Sequence, residues 1–216
     1  MRALIFHPMH NAHGKKDVTG AFKPEAHAFA RYLRETHDAS TAIHVFDNSA
    51  TKGERRASVE SAISVDKWDV VALFCHGLHT GLQTGHDIRT PGSVEALADV
   101  LATHAAHGGL ILPLYACDTA EARRPAPGGD GGFADALRDA LATRGVQGHI
   151  DAHTTTAHTT KNPHVRRFEM DGGPGVGGDW LVAPRSPKWS TWRRALKGDL
   201  RFRFPLMTRE EIEASL

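Results

Sequence analysis

Two apolar runs constrain the fold more than any other feature of the chain. Val70, Val71, Ala72, Leu73 and Phe74 stand in a row and are followed by Cys75. Leu110, Ile111, Leu112, Pro113, Leu114, Tyr115 and Ala116 form the second run. Short apolar runs without alternation fit strands buried on both faces, as in a parallel sheet covered by helices. Pro113 opposes this assignment locally, because a proline offers no N–H to a sheet ladder.

The intervening segments have helical spacing. Residues 24–37 place Ala28, Phe29, Tyr32 and Leu33 on one face, and Pro24 suits a first turn. Residues 54–63 and 133–144 read as helices, and a third runs from Ser93 through Val94, Leu97, Val100 and Leu101 with Ser93 as its cap. Further strands are expected at 3–6, 42–46 and 146–155, and shorter ones at 166–170 and 180–183. A last helix is expected at 187–196, followed by an unassigned amphipathic tail. Strand and helix therefore alternate, which predicts an α/β fold: a mostly parallel central sheet with helices on both faces, in three layers. In such sheets ligands bind outside the carboxyl ends of the strands.

The chain has 216 residues, enough for one domain with a sizeable core. Lys plus Arg (26) nearly equals Asp plus Glu (25), so charge gives no case for nucleic acid or an anionic membrane as partner. Two cysteines are too few for a disulfide framework and favour a reducing compartment. No apolar run approaches the roughly 20 residues needed to span a bilayer. The expectation is a soluble cytoplasmic protein.

The carboxyl-edge rule points to two strand ends, Cys75-His76-Gly77 and Tyr115-Ala116-Cys117-Asp118. Neighbouring strands lie about 5 Å apart, so adjacency would bring His76 and Cys117 to one substrate carbonyl. A free thiol is only partly ionised at neutral pH, and an imidazolium beside it favours the thiolate. His76 can then protonate a departing amine, and Gly77 allows the backbone N–H groups of residues 77 and 117 to approach an oxyanion. Alternation along the strand sends Cys75 to the opposite face from His76, into the core.

An apolar strand ending in His-Gly, about forty residues, then an apolar strand ending in Ala-Cys resembles the caspase-like cysteine peptidases (clan CD). Cys75-His76-Gly77 and Tyr115-Ala116-Cys117-Asp118-Thr119-Ala120 are most similar to the CHAT and legumain versions. The resemblance covers roughly residues 1–155. It implies a single caspase-like sandwich over 1–216, with 156–216 supplying groove loops, edge strands and a tail. It also implies Cys117 as nucleophile, His76 as general acid, Gly77 as oxyanion support, a polypeptide substrate and no cofactor. By the same resemblance the substrate groove is lined by Tyr115, two residues before the cysteine, and by the chain after the fifth strand, including His153 and Thr155. Asp118 is a candidate acidic selector, and His10 and His13 occupy the loop where caspases carry an arginine. Tyr115 carries no charge with which to select Lys or Arg. Relatives are often cut shortly after the cysteine strand, where Arg123 and Arg124 stand in this chain.

Two other functions compete. One is a catalytically inactive caspase-like domain that binds a protein activator or adaptor partner. The other is a metal-dependent hydrolase, since His76, His79, His86 and Asp87, or His7, His10, His13, His76 and Cys117, supply ligand types for zinc. Residues 151–163 hold two similar phrases, Ala152-His153-Thr154-Thr155 and Ala157-His158-Thr159-Thr160, read as a wall of the groove or as a polar edge strand.

Overall fold

The computed structural model describes residues 1–10, 20–121, 132–175 and 177–216. The chain runs β1 (Arg2–Pro8), α1 (Phe22–His37), β2 (Ser40–Phe46), α2 (Lys52–Ile63), β3 (Val70–Phe74), the two-residue strands β4 (Gly77–Leu78) and β5 (Gly81–Leu82), then α3 (Ser93–His104) and β6 (Gly109–Tyr115). It continues with α4 (Gly132–Thr143), β7 (Gln147–His153), β8 (Val165–Glu169), β9 (Asp179–Trp180), α5 (Trp189–Ala195), α6 (Leu200–Arg203), a 3-10 turn (Phe204–Leu206) and α7 (Arg209–Ala214). No helix among the described residues is long and apolar enough to cross a membrane.

The main sheet has seven strands in the order β2-β1-β3-β6-β7-β8-β9. β2, β1, β3, β6 and β7 are parallel, whereas β8 runs antiparallel to β7, and β9 antiparallel to β8. The order reverses between β1 and β3. From β1 the chain steps one way to β2, and afterwards it always steps the other way. Right-handed crossovers then put α1 on one face and α2, α3 and α4 on the other. The core divides accordingly. Leu4, Phe6, Leu73, Cys75 and Leu112 pack with α2, α3 and α4, while Ile5, Phe74 and Tyr115 pack with α1 and the C-terminal helices. The result is a three-layer α/β sandwich.

Local chemistry explains the element ends. The Thr51 hydroxyl accepts the Glu54 amide N–H, and the Glu54 carboxylate accepts the Thr51 amide N–H at 2.8 Å, a reciprocal cap that starts α2. Ser93 does not cap α3. Gly92 takes the cap position, and the Ser93 hydroxyl instead accepts the Asp87 amide N–H at 3.1 Å. Pro113 is accommodated inside β6. The β3–β6 register runs through Val70↔Ile111, Leu73↔Leu114 and Phe74↔Tyr115 but skips the pairs between, whereas the β6–β7 register is continuous through Pro113↔Asp151. The missing donor thus costs ladder bonds on one side only.

A right-handed path leaves half of the α1 face uncovered, and the C-terminal segment fills it. Arg167 on β8 is its anchor. The guanidinium grips Asp151, its cross-strand partner on β7, through two bonds of 2.8 Å, and donates to the Met207 carbonyl (2.7 Å) and the Phe204 carbonyl (2.9 Å). The Trp192 indole N–H donates to the Pro163 carbonyl at 2.8 Å. Burial alone would raise the Asp151 carboxyl, but Arg167 and His149 outweigh it and hold the group down at about 2.

A carboxyl with a lower pKa in the folded chain than in the unfolded one stabilises the fold above about pH 4 and loses that contribution as pH falls toward its folded value. Asp151→Asn should therefore cost about 3–5 kcal/mol at pH 7, because it strands a buried guanidinium. Urea unfolding would also show a flatter acid dependence between about pH 4 and 2 in the variant. An unchanged midpoint would mean that the pair anchors nothing.

Candidate active site at the sheet edge

β3 and β6 are neighbours, and every recorded pair between them differs by 41 in residue number. His76 and Cys117 differ by the same 41. Both chains bend just past this ladder, at Cys75 and Ala116, so the equal spacing brings the two strand ends to one edge without pairing His76 and Cys117 directly. Phe74 and Tyr115 both belong to the core on the α1 face. Cys75 and Ala116 are packed in the core on the other face.

The strand ends stay in contact beyond the ladder. A Cβ added at Gly77 would lie 2.6 Å from the Cys117 carbonyl oxygen and 2.7 Å from Thr119 Cγ2, so only glycine fits there. The chain after Cys117 turns sharply through Asp118, whose φ is 57°. The backbone of His76 is clamped on both sides: its N–H donates to Gln83 Oε1 (3.2 Å), and its carbonyl accepts the Gln83 amide N–H (2.9 Å). The His76 ring is exposed and meets Phe22, the first residue of α1, edge-on at 4.8 Å between centroids. The two strand ends lie beside the point where strand order reverses, the usual crevice of an open α/β sheet.

The two cysteines have different environments. Cys75 is fully buried and its thiol is pushed up to about 12 by desolvation. Cys117 is half-buried, and its Sγ donates to the Ala157 carbonyl at 3.8 Å. Burial pushes this thiol up as well, the Ala157 backbone acts against the shift, and the Asp118 carboxylate adds to it. The bond to the Ala157 carbonyl is made by the S–H of the neutral thiol. Cys117 in this arrangement is a resting thiol.

The other expected site residues are dispersed. Tyr115 is 1% exposed, stacks on Phe74 at 4.4 Å and donates its hydroxyl to the Arg201 carbonyl at 2.8 Å. It is a core residue beneath the strand ends. His153 lies beside it, equally buried, and desolvation holds its imidazole at about 4 and therefore neutral. Asp118 is buried and accepts the Thr156 hydroxyl at 2.9 Å. The Thr155 hydroxyl donates to Asn162 Oδ1 (3.3 Å), while Asn162 Nδ2 donates to the Thr155 carbonyl (2.8 Å). His10 bonds through its backbone to Asn48, beyond the end of β2, on the far side of β1 from Cys117. His13, Arg123 and Arg124 lie outside the described residues.

Among the described residues, no three His, Cys, Asp or Glu side chains stand close enough to hold a metal ion. His86 is committed elsewhere, between the Glu60 carboxylate (3.2 Å) and the Thr84 hydroxyl (2.9 Å). Gln83 shapes the site without having been singled out in the sequence. Thr156, Ala157 and Asn162 belong to residues 151–163, the segment read there as a wall of the groove or a polar edge strand. The chain matches no family model, and no curated protein shows significant similarity to it.

Iodoacetamide should distinguish the two thiols. Cys117 should react in the folded protein, at a rate that keeps climbing with pH beyond the range of a free cysteine. Cys75 should react only after unfolding. Mass spectrometry of the two labelled peptides measures both, and equal labelling of the folded chain would contradict the two environments.

Proposed function

We propose that the chain is a cysteine endopeptidase of the caspase-like kind, with Cys117 as nucleophile and His76 as general acid. What supports the proposal is the adjacency of β3 and β6, whose carboxyl ends lead into His76 and Cys117, together with a glycine beside His76 packed against the Cys117 backbone. In the reaction Cys117 gives its proton to His76 and Sγ attacks the carbonyl carbon of the peptide. The N–H groups of Gly77 and Cys117 donate to the oxyanion. His76 returns the proton to the leaving nitrogen as the C–N bond breaks. Water then cleaves the thioester and restores the thiol. Because burial favours the neutral thiol at rest, proton transfer is coupled to substrate binding. The peptide must also take the place of the Ala157 carbonyl beside Sγ.

That same contact favours a second reading, a catalytically inactive caspase-like domain that docks a protein partner. The two readings differ in one measurement. With a diverse peptide library, the peptidase cleaves, and Cys117→Ala or His76→Ala lowers kcat/KM by about 10²-fold or more. Gly77→Ala should lower kcat roughly 100-fold, because its Cβ displaces the Cys117 turn. Absence of cleavage by the unaltered chain would leave only the docking domain, whereas full activity of Cys117→Ala would remove Cys117 as the nucleophile.

A further inference from the structure

A cleft of about 370 Å³ opens beside His76, with Gly77, Leu78 and Leu82 on its walls and Lys52 and Asp87 at its end. Cys117 does not line it. In the proposed reaction His76 protonates the departing amine, so the leaving-group side of the peptide lies over His76. The cleft is then the place for a side chain on that side of the scissile bond. Leu82, which is buried, and Leu78, 62% exposed, give it aliphatic surface beside the polar Thr80 and Gln83.

The charges at its end are unequal. The Asp87 carboxylate is fixed. Oδ1 accepts the Arg89 amide N–H at 2.7 Å, the Asp87 N–H donates to the Ser93 hydroxyl, and the residue bridges to Gly81 of the hairpin. Its side chain is only 17% exposed. Lys52 is 64% exposed, and its Nζ stands 3.8 Å from Asp87 Oδ2, a loose pair worth little in water. The Lys52 backbone is held close by Gly85, where a Cβ would fall 2.5 Å from the Lys52 carbonyl oxygen, but its ammonium is free to swing outward. A cleft that offers the side chains of Leu78 and Leu82, a fixed carboxylate and a displaceable ammonium suits a long cationic side chain.

We propose that Asp87 selects lysine or arginine on the leaving-group side of the scissile bond. This rests on the peptidase reading for its place in the reaction, but the cation preference of the cleft is measurable alone. The probes are Lys-Ala-Ala-amide and Glu-Ala-Ala-amide, which mimic leaving products and carry the same free amine. Amide shifts of Gly77 and Leu82 in the nitrogen-labelled protein report binding. The lysine peptide should bind about three- to ten-fold tighter than the glutamate peptide. Asp87→Asn, which keeps the acceptor for Arg89, should bring the ratio close to one. Lys52→Ala should tighten the lysine peptide about two- to three-fold by removing its competitor. Equal affinities, or a preference that survives Asp87→Asn, would overturn the proposal whether or not the chain cuts peptides. In a cleavage library the residue following the cut should be enriched in Lys and Arg, and this enrichment should vanish in Asp87→Asn. Cleavage without such enrichment would overturn the proposal while leaving the peptidase reading intact. A cation preference in binding, with no cleavage at all, would support the selectivity of the cleft and remove the peptidase.

Discussion

Parallel strands in register keep a constant offset between partners, and between β3 and β6 that offset is 41 residues. Each strand is short and apolar, and each is buried by helices on both faces, so a slip of one residue would turn polar neighbours into the core. The register also decides what happens past the ladder. The His76 ring emerges against Phe22 of α1, while Cys75 is sent into the core beneath α2, α3 and α4. Gly77 then closes against the Cys117 carbonyl, a fit that no side chain would permit. The candidate site is thus a consequence of sheet packing, and the loops that follow only refine it.

The C-terminal part of the chain has a different role in the same structure. Right-handed connections place α1 alone on one face, and the remaining area is covered by α5, α6 and α7. Arg167 ties that cover to the sheet. A buried guanidinium is tolerable only with its charge and its N–H groups satisfied, and Asp151 with the Phe204 and Met207 carbonyls meets that need. The same cover buries Tyr115 through the Arg201 carbonyl. The strand that carries Cys117 is therefore supported from below by residues from the far end of the chain.

The chemistry of the edge at rest is that of a neutral thiol. Desolvation acts against charge on Cys117, Cys75 and His153 alike. Asp87 and Lys52 line the cleft beside His76, whereas Asp118 is buried and bonded to the Thr156 hydroxyl.

Much of this was legible in the sequence. Apolar runs without alternation and helical spacing between them were enough to determine the order of elements, the layered α/β class and the two strand ends that matter, because these depend on local periodicity and on the need to bury apolar surface. The hairpin of β4 and β5 was missed, since two-residue strands leave no periodic trace, and α6 and α7 were unassigned because they are stabilised by packing on the sheet. The reach of side chains was not legible at all. Tyr115, His153 and Asp118 are polar residues near a cysteine, and nothing local shows that distant carbonyls and hydroxyls would draw them inward. By itself the sequence determined which residues stand at the carboxyl edge. Only the tertiary structure decided which of them face the open crevice, because burial, partner atoms and thiol ionisation are set by contacts between segments far apart in the chain.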